Sequence, residues 1–389
     1  MTTATTATTA TTAATPHAAT GFAAGPEARP ELAAHAVTTA LARCGSGVAQ
    51  SIILLLTPHF ARTPQAAITA AARAGNCLQV FGGTTPGVFT EQAWTLDQPA
   101  AAALVLTGDM TLAPPDSELP LLSLAMPDAL DSAWLGAGQP RFGALATGDD
   151  HHAIGAVWDH AKWQLEGRSE ACLAGGEFEL AVSRGMQAIS DVLEVTAADG
   201  YELQSLGDEA SLPTLLACLP EELRSPANLP LGLLFAAVID DEIGLDRAVA
   251  EGRYGLVPVL AANAGDGSLT LGAALDSGTR LFWALRHPGS AEAELRGGID
   301  LLQEQRDALS MQAANRMPEF ALLFSCIGRG PYFYGGDDHD LAVLTRRYPG
   351  LPVLGGYCGG EIAPLTGGNA ILSYSAVAAL AYAHVQSQS

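Results

Sequence analysis

SIILLLTPHFARTPQAAITAAARAGNCLQVFGG, residues 51–83, is the stretch whose reading decides the fold. SIILLL (51–56) is an unbroken apolar run of strand length. Thr63 suits a helix N-cap and Pro64 the first helical position, where its missing N–H costs nothing. Alanines fill the helix body, and Gly75 stands where a C-cap glycine belongs. CLQVFGG then returns as a second apolar strand. Strand, helix and strand with short joints favour a parallel pair with a right-handed crossover, so the chain reads as α/β.

The pattern spreads outward from there. AAALVLT (101–107) and RFGALAT (141–147) read as further strands, and AIGAVWD (153–159) with EACLAGG (170–176) as a later pair. LGLLFAAVID (231–240) reads as a buried strand, and Asp266–Gly267 marks a hairpin turn between two strands. Leu295, Ile299, Leu302 and Leu309 keep helical spacing among charges. EFALLFSCIGRG (319–330), a short helix at DHDLAVLTRRY (338–348), and LPVLGGYCGG (351–360) repeat the strand–helix–strand plan, and NAILSYSAVAALAY (369–382) supplies a last strand. VFGGTTPGV (80–88) and VLGGYCGGE (353–361) share V-apolar-G-G-x-x-x-G at matching places. Two halves built on a repeated plan would explain that match, and so would chance among glycine-rich strand ends. The expected organisation is a disordered Thr/Ala-rich tail over 1–30 and two domains of mixed sheets, 31–225 and 226–389.

Composition bounds the function. With 389 residues, 48% hydrophobic and 15% charged, the chain can bury large cores. A net charge of −22 argues against binding nucleic acid or anionic membranes, which both need a basic surface. It does not exclude an anionic small ligand held by one local arginine. The uncharged stretch 370–385 is too short to span a membrane, and the N-terminus lacks a basic segment followed by an apolar one. Cys44, Cys77, Cys172, Cys218, Cys326 and Cys358 form no C-x-x-C pair, so reduced thiols and a cytoplasmic location are expected.

The candidate site lies at two glycine-rich strand ends, FSCIGRGPYFYG (324–335) and GGYCGGEIAP (355–364). Loops after parallel strands gather at the carboxyl edge of the sheet. Gly330 and Gly359 let backbone approach a ligand. Arg329 suits a carboxylate and Glu361 an ammonium, which together would read an amino acid or similar zwitterion. The same two side chains would equally make an ion pair tying the loops together. Tyr357 offers a wall, Asn369 a hydrogen-bonding amide, and Gly82, Thr84 and Thr85 the matching strand end of the first half. Cys326 and Cys358 read as buried cysteines. A nearby Arg329 would instead favour a reactive thiolate, so a cysteine- or glutamate-dependent enzyme on a small metabolite is the alternative. GDDHD (336–340) and GDDHH (148–152) match no metal-site spacing and read as solvated loop and helix cap; no metal or cofactor is expected.

The order LLFSCIGRGPYFYG…DHD…PVLGGYCGGEIAP…GN resembles the C-terminal domain of FIST (F-box and intracellular signal transduction) proteins. VTAADGYELQSLGDEA (195–210) and YGLVPVLAANAGDGSLTLGAALDSGTRLFWALR (254–286) also look like segments of that family. FGGTTPGVF with FGALATGDDHHAIGAVW is similar to its N-terminal domain. The resemblance spans roughly residues 45–375. It implies a bacterial sensory module that binds a small ligand, amino acids among the candidates, and signals to a downstream protein. The chain shows no F-box, kinase, cyclase or chemoreceptor segment beside it. A pure protein-interaction scaffold is a further alternative.

Overall fold

The structure is a computed structural model that describes residues 17–116, 118–148, 154–225, 229–239, 243–309, 316–365 and 368–384. One order of elements recurs along it: strand, helix, strand, helix, strand, hairpin, strand. The first module runs β1 (Ala18–Ala24), α1 (Pro30–Cys44), β2 (Ser51–Leu56), α2 (Pro64–Gly75), β3 (Val80–Thr84), the hairpin β4 (Gly87–Thr90) and β5 (Trp94–Thr95), then β6 (Ala100–Leu106). The second runs β7 (Thr111–Ala113), β8 (Leu121–Ala125), α3 (Ser132–Gly136), β9 (Arg141–Leu145), the hairpin β10 (Val157–Asp159) and β11 (Lys162–Trp163), then β12 (Arg168–Ala174). Between β7 and β8 no helix is present among the described residues.

The third module opens with β13 (Gly176–Ser183) and is then interrupted. The insertion comprises β14 (Met186–Ala188), β15 (Leu193–Asp199), β16 (Glu202–Leu206), β17 (Glu209–Ala210), α4 (Ser211–Cys218), β18 (Leu234–Ile239), α5 (Leu245–Ala250), β19 (Gly255–Asn263), β20 (Ser268–Leu271) and β21 (Arg280–Arg286). The module resumes with α6 (Pro288–Leu309), β22 (Phe320–Cys326), α7 (His339–Arg347), β23 (Val353–Cys358), the hairpin β24 (Glu361–Leu365) and β25 (Gly368–Leu372), and β26 (Ala376–Ala383).

Each module makes a six-stranded sheet, and each gives its hairpin away. The sheet orders are β1-β6-β2-β3-β10-β11, β7-β12-β8-β9-β24-β25 and β13-β26-β22-β23-β4-β5. The first module's hairpin pairs with β23, the third's with β9 and the second's with β3, which closes a cycle. The parallel pairs are β2–β3, β8–β9 and β22–β23, each joined by its crossover helix. At the end of the central strand or just past it, Thr57, Met126 and Cys326 donate their backbone N–H to Ala100, Gly167 and Ser375 at 3.1, 2.7 and 2.9 Å. Gly82, Gly143 and Gly355 face Leu54, Ser123 and Leu323 across the parallel pairs. A Cβ on them would lie 1.8, 2.0 and 2.4 Å from the opposite carbonyl oxygens, so this place in every module demands glycine.

Alternation explains how three sheets share one core. Ile53 and Leu55 of β2, Leu124 of β8 and Leu322 and Phe324 of β22 point into a common centre. Ile52, Leu54 and Leu56 point the other way, under α1 and α2. Ala321 and Leu323 lie beneath α6 and α7, and Trp134 of α3 covers the second sheet. Strands buried on both faces read as continuous apolar runs, as SIILLL does. Full burial of each large aliphatic side chain contributes about 1.5–3 kcal/mol.

The insertion is a closed antiparallel ring: β21 pairs β15, β15 pairs β16, then β20, β19 and β18, and β18 returns to β21. Closure removes sheet edges, and α4 adds Leu212 and Leu215 to the core of this barrel. The chain enters and leaves by paired residues, Met186 opposite Arg286.

Several sequence expectations change. The α/β class with mixed sheets and strand–helix–strand units holds. The boundary at 225/226 falls inside the barrel, which takes strands from both expected domains. The repeat has three copies rather than two. Within the expected tail, Ala18–Ala24 is a strand; its small residues let α1 approach so closely that a Cβ on Gly21 would sit 2.0 Å from the Ala36 carbonyl oxygen. Gly75 is the last helical residue, packed on Ile52, and Asn76 takes the left-handed cap at φ 46°. Thr63 is the N-cap position but makes no side-chain capping bond. The expected last strand is two, β25 and β26. Among the described residues no helix is long and apolar enough to cross a membrane.

Candidate functional site

The two glycine strand ends do lie side by side, because β22 and β23 are parallel neighbours with Cys326 opposite Cys358. Arg329, however, is 1% exposed and fully engaged. Its Nε and Nη2 donate to the Asp340 carboxylate at 2.9 Å each, Nη1 to the Ser183 hydroxyl at 2.7 Å and carbonyl at 3.3 Å, and Nη2 also to the Ala291 carbonyl at 2.9 Å. Tyr334 Oη adds a contact at 3.2 Å. The carboxylate beside Arg329 is therefore Asp340 of α7, neither Glu361 nor a ligand. Asp340 also accepts from Ser325 and Tyr334. Asp338 caps α7 by accepting from the Leu341 N–H and takes the Tyr357 hydroxyl at 2.5 Å, so Asp338 and Asp340 of GDDHD serve the fold. GDDHH lies outside the described residues apart from Gly148.

Glu361 is completely buried on β24. Ser375 donates its hydroxyl to Oε2 at 2.5 Å, and Oε1 has no partner among the described residues. Burial pushes this carboxyl well above its usual range, outweighing the Ser375 hydrogen bonds. The neutral acid is thus the favoured form, which does not suit an ammonium. Burial and then Glu361 push the Cys326 thiol up to about 11, and burial raises Cys358 as well. These environments are the reverse of an activated nucleophile's.

The other expected residues serve packing. Gly330 lies against the Tyr357 ring and Gly359 against Thr147. Thr84 Oγ1 accepts from the Ala156 N–H and Thr85 Oγ1 donates to the Gly87 carbonyl, both fully buried. Gly82 packs beneath Trp158. Asn369 holds the loop after α3, donating to the Leu135, Ala137 and Gln139 carbonyls and accepting from the Arg141 N–H. The expected site residues do not surround one cavity.

A cavity of about 760 Å³ opens elsewhere, between the barrel and the hairpin β24–β25. The barrel contributes Phe235, Arg253, Tyr254 and Pro258; the modules contribute Arg184, Ile371 and Tyr374. Arg184 is 5% exposed. Its Nη1 and Nη2 donate to the Gly252 and Tyr254 carbonyls at 2.6 and 3.1 Å, and its guanidinium lies 4.4 Å over the Tyr254 ring. Its Nε is buried without a partner, and no described carboxylate lies within ion-pair distance. Burial lowers its proton affinity, with Tyr254 and Glu294 acting through space to raise it. Tyr374 is held at φ +59°, an uncommon backbone state for a tyrosine. Its ring sits 5.1 Å from Phe235, with the Arg286 guanidinium 4.2 Å over it. Among the described residues no Asp or Glu lines this cavity. A second hollow of about 400 Å³ shares Arg184, Gly252 and Leu365 with it and carries Glu251 and Glu294. Sequence reasoning missed Arg184 because it is one arginine in an unremarkable Ser-Arg-Gly turn; only its burial marks it.

Comparison with known proteins places part of this architecture. Residues 215–364 match the FIST C domain, from within α4 to within β24. The chain is 28% identical over 212 residues to an uncharacterized protein of Mycobacterium tuberculosis, covering 54% of this chain and 52% of that protein. It is 30% identical over 205 residues to one of Mycobacterium bovis, covering 51% and 49%. The chain thus spans about half the length of the curated relatives it matches.

Proposed function

We propose, from the premise that residues 215–364 form a FIST C domain, that this protein senses a small polar ligand in the cavity between the barrel and the three modules. FIST domains are associated with signal transduction, and small-ligand sensing is the role proposed for this one. The observation that carries the reading is a cavity of about 760 Å³ between the barrel and the hairpin β24–β25, lined by Phe235 and Tyr254 on one side and Ile371 and Tyr374 on the other. Such a volume suits a metabolite-sized ligand.

The barrel joins the modules through the neighbouring strands β14 and β21, so its seating is the natural variable. A ligand touching both walls favours the closed seating by its difference in affinity for the two states. The output passes to a downstream signalling protein, and the six free thiols fit a cytoplasmic setting. Amino acids and other small polar metabolites are the first ligands to test.

The test is a thermal-shift panel of amino acids, organic acids, sugars and nucleosides on the full chain, followed by hydrogen exchange with any binder. A ligand at a hundredfold excess over its Kd stabilises by about 2.7 kcal/mol. Protection should appear in both 252–258 and 370–374. A binder that protects neither stretch, or a panel without a binder, refutes the reading.

A further inference from the structure

We infer that the cavity takes an organic monocarboxylate that carries no ammonium group, with Arg184 as its counter-ion. This rests on the cavity's being the ligand site. A guanidinium buried to 5% exposure ordinarily has a carboxylate partner, because an unpaired buried charge is costly. Arg329 has Asp340, and Arg306 has Glu177 and Glu179. Arg184 has two carbonyls and the face of Tyr254, and its Nε stays unpartnered. Two carbonyls leave donors of the five-donor fork free for an anion.

The remaining wall sets the rest of the ligand. Arg253 is drawn towards Glu251 at 3.5 Å, so Arg184 is the main source of positive charge, which matches one carboxylate better than a phosphate dianion. Glu294 acts on Arg184 only through space; its Oε2 accepts from the Ser183 hydroxyl and the Gly185 N–H. None of the described lining residues is Asp or Glu, so none of them can pair with an ammonium. Phe235, Ile243, Pro258, Ile371 and Tyr374 offer an apolar, partly aromatic surface for a flat hydrocarbon body.

Calorimetry on the full chain with four matched probes tests this: 3-phenylpropionate, phenylalanine, 3-phenylpropanamide and 2-phenylethylamine. The expected result is binding of 3-phenylpropionate, at least tenfold weaker binding of phenylalanine, and no measurable binding of the amide or amine. Arg184→Lys, which keeps the charge but loses the fork, should weaken 3-phenylpropionate at least tenfold. The ligand comparison on the parent chain needs no variant and holds even if Arg184→Lys folds poorly. Phenylalanine binding as tightly as 3-phenylpropionate overturns the inference and leaves the cavity as the ligand site. If other members of the broad panel bind and protect the cavity while 3-phenylpropionate does not bind, the inference alone falls; if no ligand binds, both fall.

Discussion

Replacing Arg329 with methionine separates a structural arginine from a ligand-binding one. Methionine keeps much of the stem and removes five donors. Asp340, completely buried, would keep the Ser325 and Tyr334 hydroxyls at 2.9 and 2.8 Å and lose its cation. The Ser183 and Ala291 carbonyls would lose a donor as well. Removing one member of a buried pair typically costs about 3–5 kcal/mol, because the surviving charge stays buried. Arg329 also ties the end of β22 to α7, β13 and α6, so the upper part of that range is expected. Neutralising the survivor should restore part of the loss. Arg329→Met with Asp340→Asn should cost less than the sum of the single changes by about 2 kcal/mol, within the range for contacting residues. Urea unfolding at pH 7 measures this, provided that the m-value is unchanged. A loss below about 1 kcal/mol, or strict additivity, refutes the reasoning. Loss of ligand binding at unchanged stability would return Arg329 to the role that its glycine-rich loop suggested.

Three further outcomes are expected. Gly355→Ala places a Cβ 2.0 Å from the Phe89 ring and 2.4 Å from the Leu323 carbonyl oxygen, and overpacking of this kind costs about 1–3 kcal/mol or more; an unchanged melting temperature would contradict the glycine argument. Glu361 has a folded-state pKa raised above its ordinary 4.5, so its contribution to stability is complete below about pH 4.5 and is lost as pH rises through the folded value. Glu361→Gln should therefore gain on the parent chain as pH rises from 4.5 to 8, and a constant difference in urea midpoints would sink that account. Iodoacetamide labelling at pH 7.5, read by mass spectrometry, should modify the partly exposed Cys77 and Cys218 well before Cys326 and Cys358; fastest labelling at Cys326 would revive the cysteine-enzyme alternative.

Much of the fold is local enough to read from residues. The crossovers around α2 and α7, the helix carrying Leu295 and Ile299, and the turn at Asp266–Gly267 follow from period, caps and glycine. The hairpin exchange does not. β4 pairs with a strand more than 260 residues away, which no local pattern in either stretch reports. The second module hid because β9 carries RFGA where the others carry G-G, and its crossover helix has only five residues. β1 hid because alanine, threonine and glycine, which read as a tail, are what a close helix–strand contact requires. At the site, Arg329 and Glu361 stood out by residue type. Burial and the position of Asp340 eleven residues downstream decide their roles instead.

A crystal structure of the full chain grown with the tightest ligand tests the central claim most directly. The account predicts ligand density between 252–258 and 370–374, with an anionic group within hydrogen-bonding distance of Arg184. Density at the strand ends 326–330 and 357–361, with the cavity empty, would contradict it.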